Sequence, residues 1–218
     1  GYDGNFSNGG ESVVLRTSVG GTDIVAFTYS DDRGWPVAAG DSGHSLVPLV
    51  TDDQTDGRLD YGGHWRASAF RDGSPGRADP TPPRDLLLNE FMAHTDYSGP
   101  DAWRDANDWI ELFNASTQSV AHSNWYLSDT ETNLTLWPLP PGGATPPGGF
   151  ALFDEVTGFR PSPTTGFGLS KDGGRLFLSY LPGDGTDRVA DATRFKAQRN
   201  DISEGRHPDG GAYWSAMS

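Results

Sequence analysis

The chain has 218 residues, no cysteine and a formal net charge of −14. That excludes a disulfide framework and a thiolate metal site, and it argues against a nucleic-acid partner, whose phosphates call for a basic surface. No run of about eighteen apolar residues occurs, so no membrane insertion is expected.

Short runs rich in β-branched and aromatic residues, punctuated by Gly, Asp and Pro, predict strands over residues 11–17, 23–30, 44–50, 64–69 and 85–93. Further strands are predicted over 108–114, 124–128, 149–154, 175–180 and 187–193. Alternation is clearest in Trp109-Ile110-Glu111-Leu112-Phe113 and in Arg175-Leu176-Phe177-Leu178-Ser179-Tyr180. Residues 100–106 alone suggest a short helix. With 29 Gly, 16 Pro and 24 Asp among the 30 acids, turn residues dominate the rest. The expected class is all-β, as an antiparallel sandwich.

Two proline-rich stretches interrupt the strands. Residues 73–83 (Gly73-Ser74-Pro75-Gly76-Arg77-Ala78-Asp79-Pro80-Thr81-Pro82-Pro83) cannot pair as a central strand, because proline lacks a donor, and they read as a connector. Residues 137–149 carry Pro138, Pro140, Pro141, Pro146 and Pro147 and read as a long loop inside a domain.

An internal repeat runs across that connector. Residues 6–15 resemble 169–178, Gly21-Thr22-Asp23-Ile24-Val25 lines up with Gly185-Thr186-Asp187-Arg188-Val189, and His64-Trp65-Arg66-Ala67-Ser68 echoes Tyr213-Trp214-Ser215-Ala216-Met217. Nothing before residue 80 corresponds to 86–150. The chain therefore reads as the back half of one unit followed by a nearly whole second copy, and its start at Gly1 reads as an excision from a longer protein.

From residue 86 onward the sequence resembles the lamin-tail domain, in its prokaryotic secreted form. The matching pieces are Leu88-Asn89-Glu90-Phe91-Met92-Ala93, Asp108-Trp109-Ile110-Glu111-Leu112-Phe113-Asn114 and Asn124-Trp125-Tyr126-Leu127-Ser128-Asp129, with Pro146-Pro147-Gly148-Gly149-Phe150 as the turn before the next strand. Phe167-Gly168-Leu169-Ser170, Ser203-Glu204-Gly205-Arg206, Pro208-Asp209-Gly210 and Trp214 match the closing part. The resemblance implies an immunoglobulin-like β-sandwich in tandem. Residues 1–76 would be the C-terminal half of one lamin-tail-like domain, 77–84 a proline-rich linker and 85–218 a second domain. It gives Asn89, Glu90, Asp108, Trp109, Glu111, Asn114, Trp125, Asp129, Arg206 and Trp214 structural motif roles.

Four features compete as chemistry. Glu90 and Glu111 could form a carboxylate pair on neighbouring strands, for acid–base work or a metal-dependent nuclease. Gly40-Asp41-Ser42-Gly43 carries the tetrapeptide found around a trypsin-like nucleophile, without the rest of a triad in context. Asp52, Gln54, Asp56 and Asp60 fall at positions 1, 3, 5 and 9 of a calcium loop, with Gly57 at 6. Position 12, however, is Gly63 in place of glutamate, and a solvated acidic hairpin loop is the competing reading. Trp103 and Trp137 are the candidates for exposed, ligand-stacking aromatics.

The five histidines lack zinc spacing, and the sequons at Asn5, Asn114 and Asn133 allow glycosylation. Together these observations predict a non-catalytic module of a larger secreted or cell-surface protein, requiring no cofactor beyond optional Ca2+. Its role would be adhesion, structural spacing or interaction with other protein domains or cell-surface components, with self-association through the incomplete first unit. Two alternatives are an accessory domain of an extracellular hydrolase, nuclease or spore-coat-type kinase fusion, and a filament subunit completed by strand donation.

Overall fold

A computed structural model describes residues 5–32, 34–49, 57–93, 108–161 and 165–217. They are mostly β, in antiparallel sheets. The chain divides into two compact units, the first ending at Thr81 and the second beginning at Pro82.

Among the described residues of the first unit the strands form two antiparallel pairs, with short helical turns between them. β1 (Gly10–Arg16) pairs with β2 (Asp23–Ser30), and β3 (Leu46–Pro48) pairs with β4 (Trp65–Ala67). Both β1 and β2 are rich in β-branched residues, yet no residue of either is buried. Val14, Leu15 and Ile24 are all about half exposed, at 45%, 54% and 52%. The buried apolar residues lie mainly around β4, where Trp65 packs against Phe27 (4.9 Å between rings) and its indole N–H donates to the Leu59 carbonyl (2.8 Å).

β3 is shorter than the predicted 44–50. The residues before it form a turn in which the buried His44 ring reaches the Ser68 carbonyl and Asp72 N–H bonds to Gly43 O. The predicted connector is tied to this unit at Asp79. Its carboxylate accepts bonds from Arg66 Nη1, the Ala69 N–H (2.9 Å) and Ser74 Oγ (3.0 Å). Burial alone would raise the Asp79 pKa; the three donors outweigh it and hold the carboxyl below its usual range.

The second unit contains β5 (Leu86–Met92), β6 (Trp109–Asn114), β7 (Val120–Ala121), β8 (Trp125–Ser128) and β9 (Trp137–Pro138). Then come β10 (Ala144–Thr145), β11 (Phe150–Asp154), β12 (Gly173–Tyr180), β13 (Arg188–Lys196), β14 (Ser203–Arg206) and β15 (Trp214–Met217). One sheet has the order β11-β6-β5-β14-β15 and a second β13-β12-β8-β9, while β10, within the proline-rich stretch, pairs with β7 as a small two-stranded clip.

Alternation in β6 buries Ile110, Leu112 and Asn114 and turns Trp109, Glu111 and Phe113 outward. Leu86, Leu88, Phe91, Ile110 and Leu112 of the first sheet share one core with Trp125, Leu127, Leu176 and Leu178 of the second. Phe159 and Phe167 stack at 5.0 Å within that core.

Hydrogen-bond register relates the hairpins of the two units. β1 and β12 both open on a glycine at positive φ, Gly10 (104°) and Gly173 (106°). At each, a Cβ would lie within 2.9 Å of the facing strand's backbone, so only glycine fits. Both strands then carry an irregularity at the same step, Leu15/Arg16 and Leu178/Ser179. Leu15 faces Val25 and Leu178 faces Asp191, which makes Val25 the counterpart of Asp191. The sequence alignment of Gly21–Val25 with Gly185–Val189 is thus displaced by two residues. The turn of the second hairpin is longer, and identical Gly-Thr-Asp triplets drew the alignment out of register. In the closing hairpins, pairing Trp65 with Trp214 makes Ser45, Leu46, Val47 and Pro48 counterparts of Ser203, Glu204, Gly205 and Arg206.

Candidate functional site

The polar residues singled out by sequence are brought together in the second unit as three clusters. The first lies on β5, where a register shift between Leu88 and Glu90 turns the Asn89 side chain inward at 2% exposure. Asn89 Nδ2 donates to Glu111 Oε1 (2.9 Å) and Asp209 Oδ1 (3.0 Å), and its Oδ1 accepts the Gly210 N–H (2.9 Å). Glu90 and Glu111 do face each other across β5 and β6, as the carboxylate-pair reading expects. Each has its own partner, however: Glu90 accepts the Ser203 hydroxyl and Glu111 accepts Asn89. Burial, followed by the charges of Glu90 and Asp209, raises the Glu111 pKa against the pull of Asn89.

The second cluster joins the start of β6 to the end of β11. Asp108 and Glu155 exchange backbone contacts, with Glu155 N–H donating to Asp108 O (2.7 Å) and Asp108 N–H to Glu155 Oε2 (3.3 Å). Asp108 Oδ2 accepts the Leu169 N–H at 2.6 Å, and Arg160 Nη1 pairs with Glu155 Oε1 at 2.9 Å. Burial and then the Glu155 charge push the Asp108 pKa up to about 8, although the Leu169 N–H and Arg160 oppose the shift.

Arg206 centres the third. Its Nη2 lies 3.0 and 2.8 Å from the two Asp191 carboxylate oxygens, Nε donates to Leu88 O (2.7 Å) and Nη1 to Gly211 O. Asp191 also accepts the Leu88 N–H (3.0 Å), and the guanidinium sits 4.6 Å from the Trp214 ring centre. One side chain thereby ties together β5, β13, β14 and the turn before β15. Asp191 was not legible as a site residue, since it lies beside a strand irregularity that periodicity does not register.

The remaining motif positions are structural in their contacts. Asn114 is fully buried and donates to the Gln118 and Thr145 carbonyls while accepting from Ser116, so its sequon offers no accessible acceptor in the folded chain. Trp125 is buried against Tyr180 (5.1 Å), Trp109 is half-buried on β6, and Asp129 is exposed just after β8. Trp137 is half-buried and packs edge-on against Phe153 (5.3 Å) and Phe159 (6.3 Å), which removes it as an open stacking platform; Trp103 lies outside the described residues, as do 100–106.

In the first unit, Ser42 is fully buried with its hydroxyl donating to the Ala38 carbonyl, so that proton is directed away from His44. Burial lowers the His44 pKa, and its Nδ1 donates to Ser68 O at 2.8 Å. These two contacts tie Ser42 and His44 to neighbouring backbone carbonyls.

Of the calcium-loop residues, Asp52, Gln54 and Asp56 lie outside the described residues. Asp60 closes a short helical turn (Arg58–Asp60) and accepts the Thr28 N–H through one carboxylate oxygen. Among the described residues no group of three or more His, Asp or Glu is placed to hold a metal. Asp60→Ala is expected to cost at most about 1 kcal/mol in chemical denaturation, equally with and without chelator. A loss confined to chelator-free conditions would assign Asp60 to a metal instead.

A further feature of the first unit, unmarked in the sequence, is a groove of about 350 Å³ along β3. It is lined by Ser45, Leu46, Val47 and Pro48 on one side and by Asp72, Gly73, Ser74, Pro75, Arg77 and Asp79 on the other. Among the described residues β3 pairs with β4 alone, whereas its counterpart β14 lies between β15 and β5.

Compared with known protein families, with curated proteins and with solved structures, the chain matches none.

Proposed function

We propose that the chain is a non-catalytic interaction module, built as an immunoglobulin-like sandwich of lamin-tail type with an incomplete copy before it. It would serve adhesion, structural spacing or protein–protein contact in a larger secreted or cell-surface protein. The observation that carries this reading is how the candidate catalytic groups are used. Glu90, Glu111, Asp108, Ser42 and His44 each close onto a backbone group or a neighbouring side chain that fixes a turn or a strand junction. Groups spent in this way hold architecture, and chemistry would require at least one to be directed at a substrate. The net charge of −14 favours protein or cell-surface partners over nucleic acid.

The test is a turnover panel on the purified chain, covering DNA, RNA, phosphate monoesters, carboxylic esters and a casein digest, with Mg2+ or Ca2+ added. No rate above buffer is expected. A rate that disappears in Glu111→Gln while the chain stays folded would establish an enzyme and overturn the reading.

A further inference from the structure

The groove along β3 has a counterpart within the same chain that shows what fills such a space. In the second unit, the edge of β14 away from β15 is taken by β5, with Glu204 opposite Phe91 and Gly205 opposite Glu90. Ser203 adds a side-chain bond by donating its hydroxyl to Glu90. Register makes Leu46 the counterpart of Glu204, Val47 of Gly205 and Ser45 of Ser203.

The Ser45 carbonyl accepts from Ser68 N–H and Leu49 N–H donates to the His64 carbonyl, so these residues turn their backbone groups towards β4. Alternation then directs Leu46 and Pro48 into the groove. Pro48 offers only a carbonyl there, which leaves one N–H and two C=O groups for a docking strand and limits the pairing to a short stretch. Pairing of β14 with β5 is equally short. Ser45 is exposed on the groove wall, and Arg77 is an exposed cation there; the Asp79 charge is already matched by Arg66. Asp72 is the opposing acid.

We propose that this edge accepts an extended strand from a second polypeptide, with the leucine–asparagine–glutamate–aromatic pattern of β5. Its glutamate falls opposite Val47, within reach of Ser45 and Arg77, and its aromatic residue falls opposite Leu46. Main-chain pairing supplies the affinity and the glutamate supplies the register. This inference rests on the interaction-module reading and names the partner's chemistry.

The test adds a synthetic nonapeptide of residues 85–93 (DLLLNEFMA) to the full chain and follows fluorescence anisotropy together with amide hydrogen exchange. Saturable binding is expected, with slowed exchange confined to residues 45–49. Replacing the peptide's glutamate with glutamine, or making Ser45→Ala or Arg77→Ala in the chain, should weaken binding about five- to tenfold, and Asp72→Asn should strengthen it. All three chain variants lie at exposed positions, and unchanged thermal midpoints establish that they are folded. Slowed exchange at β14 in place of β3, affinity indifferent to the glutamate, or no binding at millimolar peptide would overturn the proposal. None of these outcomes bears on the turnover panel, so the inference can fail while the non-catalytic reading stands.

Discussion

Replacing Arg206 with alanine is expected to lower the unfolding free energy of the second unit by about 3 kcal/mol, the lower end of the range for breaking a buried ion pair from one side, because the two side chains remain 10% and 13% exposed. The size follows from what the substitution leaves behind. Asp191 keeps the Leu88 N–H but loses both guanidinium contacts, and the Leu88 and Gly211 carbonyls lose their donors. Trp214 also loses the cation beside its ring. Arg206→Lys should recover less than half of the loss, because an ammonium is a point donor and cannot reach Asp191, Leu88 and Gly211 together.

In the first unit neither charge of this pair is present. The counterparts of Asp191 and Arg206 are Val25 and Pro48, so both partners are absent together. Removing both charges from the second unit, as Asp191→Val with Arg206→Met, should therefore cost less than Arg206→Ala alone. Denaturant titrations followed by tryptophan fluorescence give all four values. A double variant weaker than the single one would mean that the ion pair contributes more than the burial of its members costs.

Asp108→Asn is expected to change the pH dependence of stability even more visibly. The folded-state pKa of Asp108, about 8, lies well above the ordinary aspartate value of 3.8. Between these values the native chain holds a proton that the unfolded chain releases. The stability linked to that proton is fully present below pH 4, declines as pH rises, and is gone above about pH 8. Asparagine keeps the oxygen that accepts the Leu169 N–H and cannot ionise beside Glu155, so the variant should lack this decline. The difference between wild type and variant should swing in the variant's favour by several kcal/mol between pH 4 and 8, at about 1.4 kcal/mol per pH unit where the slope is steepest. Thermal or urea unfolding across that range measures it. Parallel profiles for the two proteins would place the Asp108 carboxyl in its ordinary range.

Much of the strand layout was legible because the strands obey period two. Residues 109–114 alternate cleanly over a single core, and 23–30 is observed with the predicted bounds. Strand β3 came out shorter because Gly43, His44 and Ser45 serve a turn, a demand that β-propensity does not reveal. The Asp79 lock was hidden for a related reason: a proline-rich stretch reads as free connector until one carboxylate gathers three donors. Charge pairs between distant strands, such as Arg206 with Asp191, depend on the irregularity beside Leu178 and on which edges meet. The resemblance of residues 6–15 to 169–178 was visible in the sequence, but matching the two hairpins by register required the glycines at positive φ and the matching irregularities, because the hairpin turns differ in length.

Hydrogen exchange across β3 and β14 of the full chain, without added peptide, tests the open edge most directly. The Leu46 amide, turned away from β4, should exchange at nearly the rate of an exposed strand edge, while the Glu204 and Gly205 segment between β5 and β15 should be protected by orders of magnitude more. Equal protection of Leu46 and Glu204 in the free chain would show that the edge is already covered, contradicting an acceptor groove along β3.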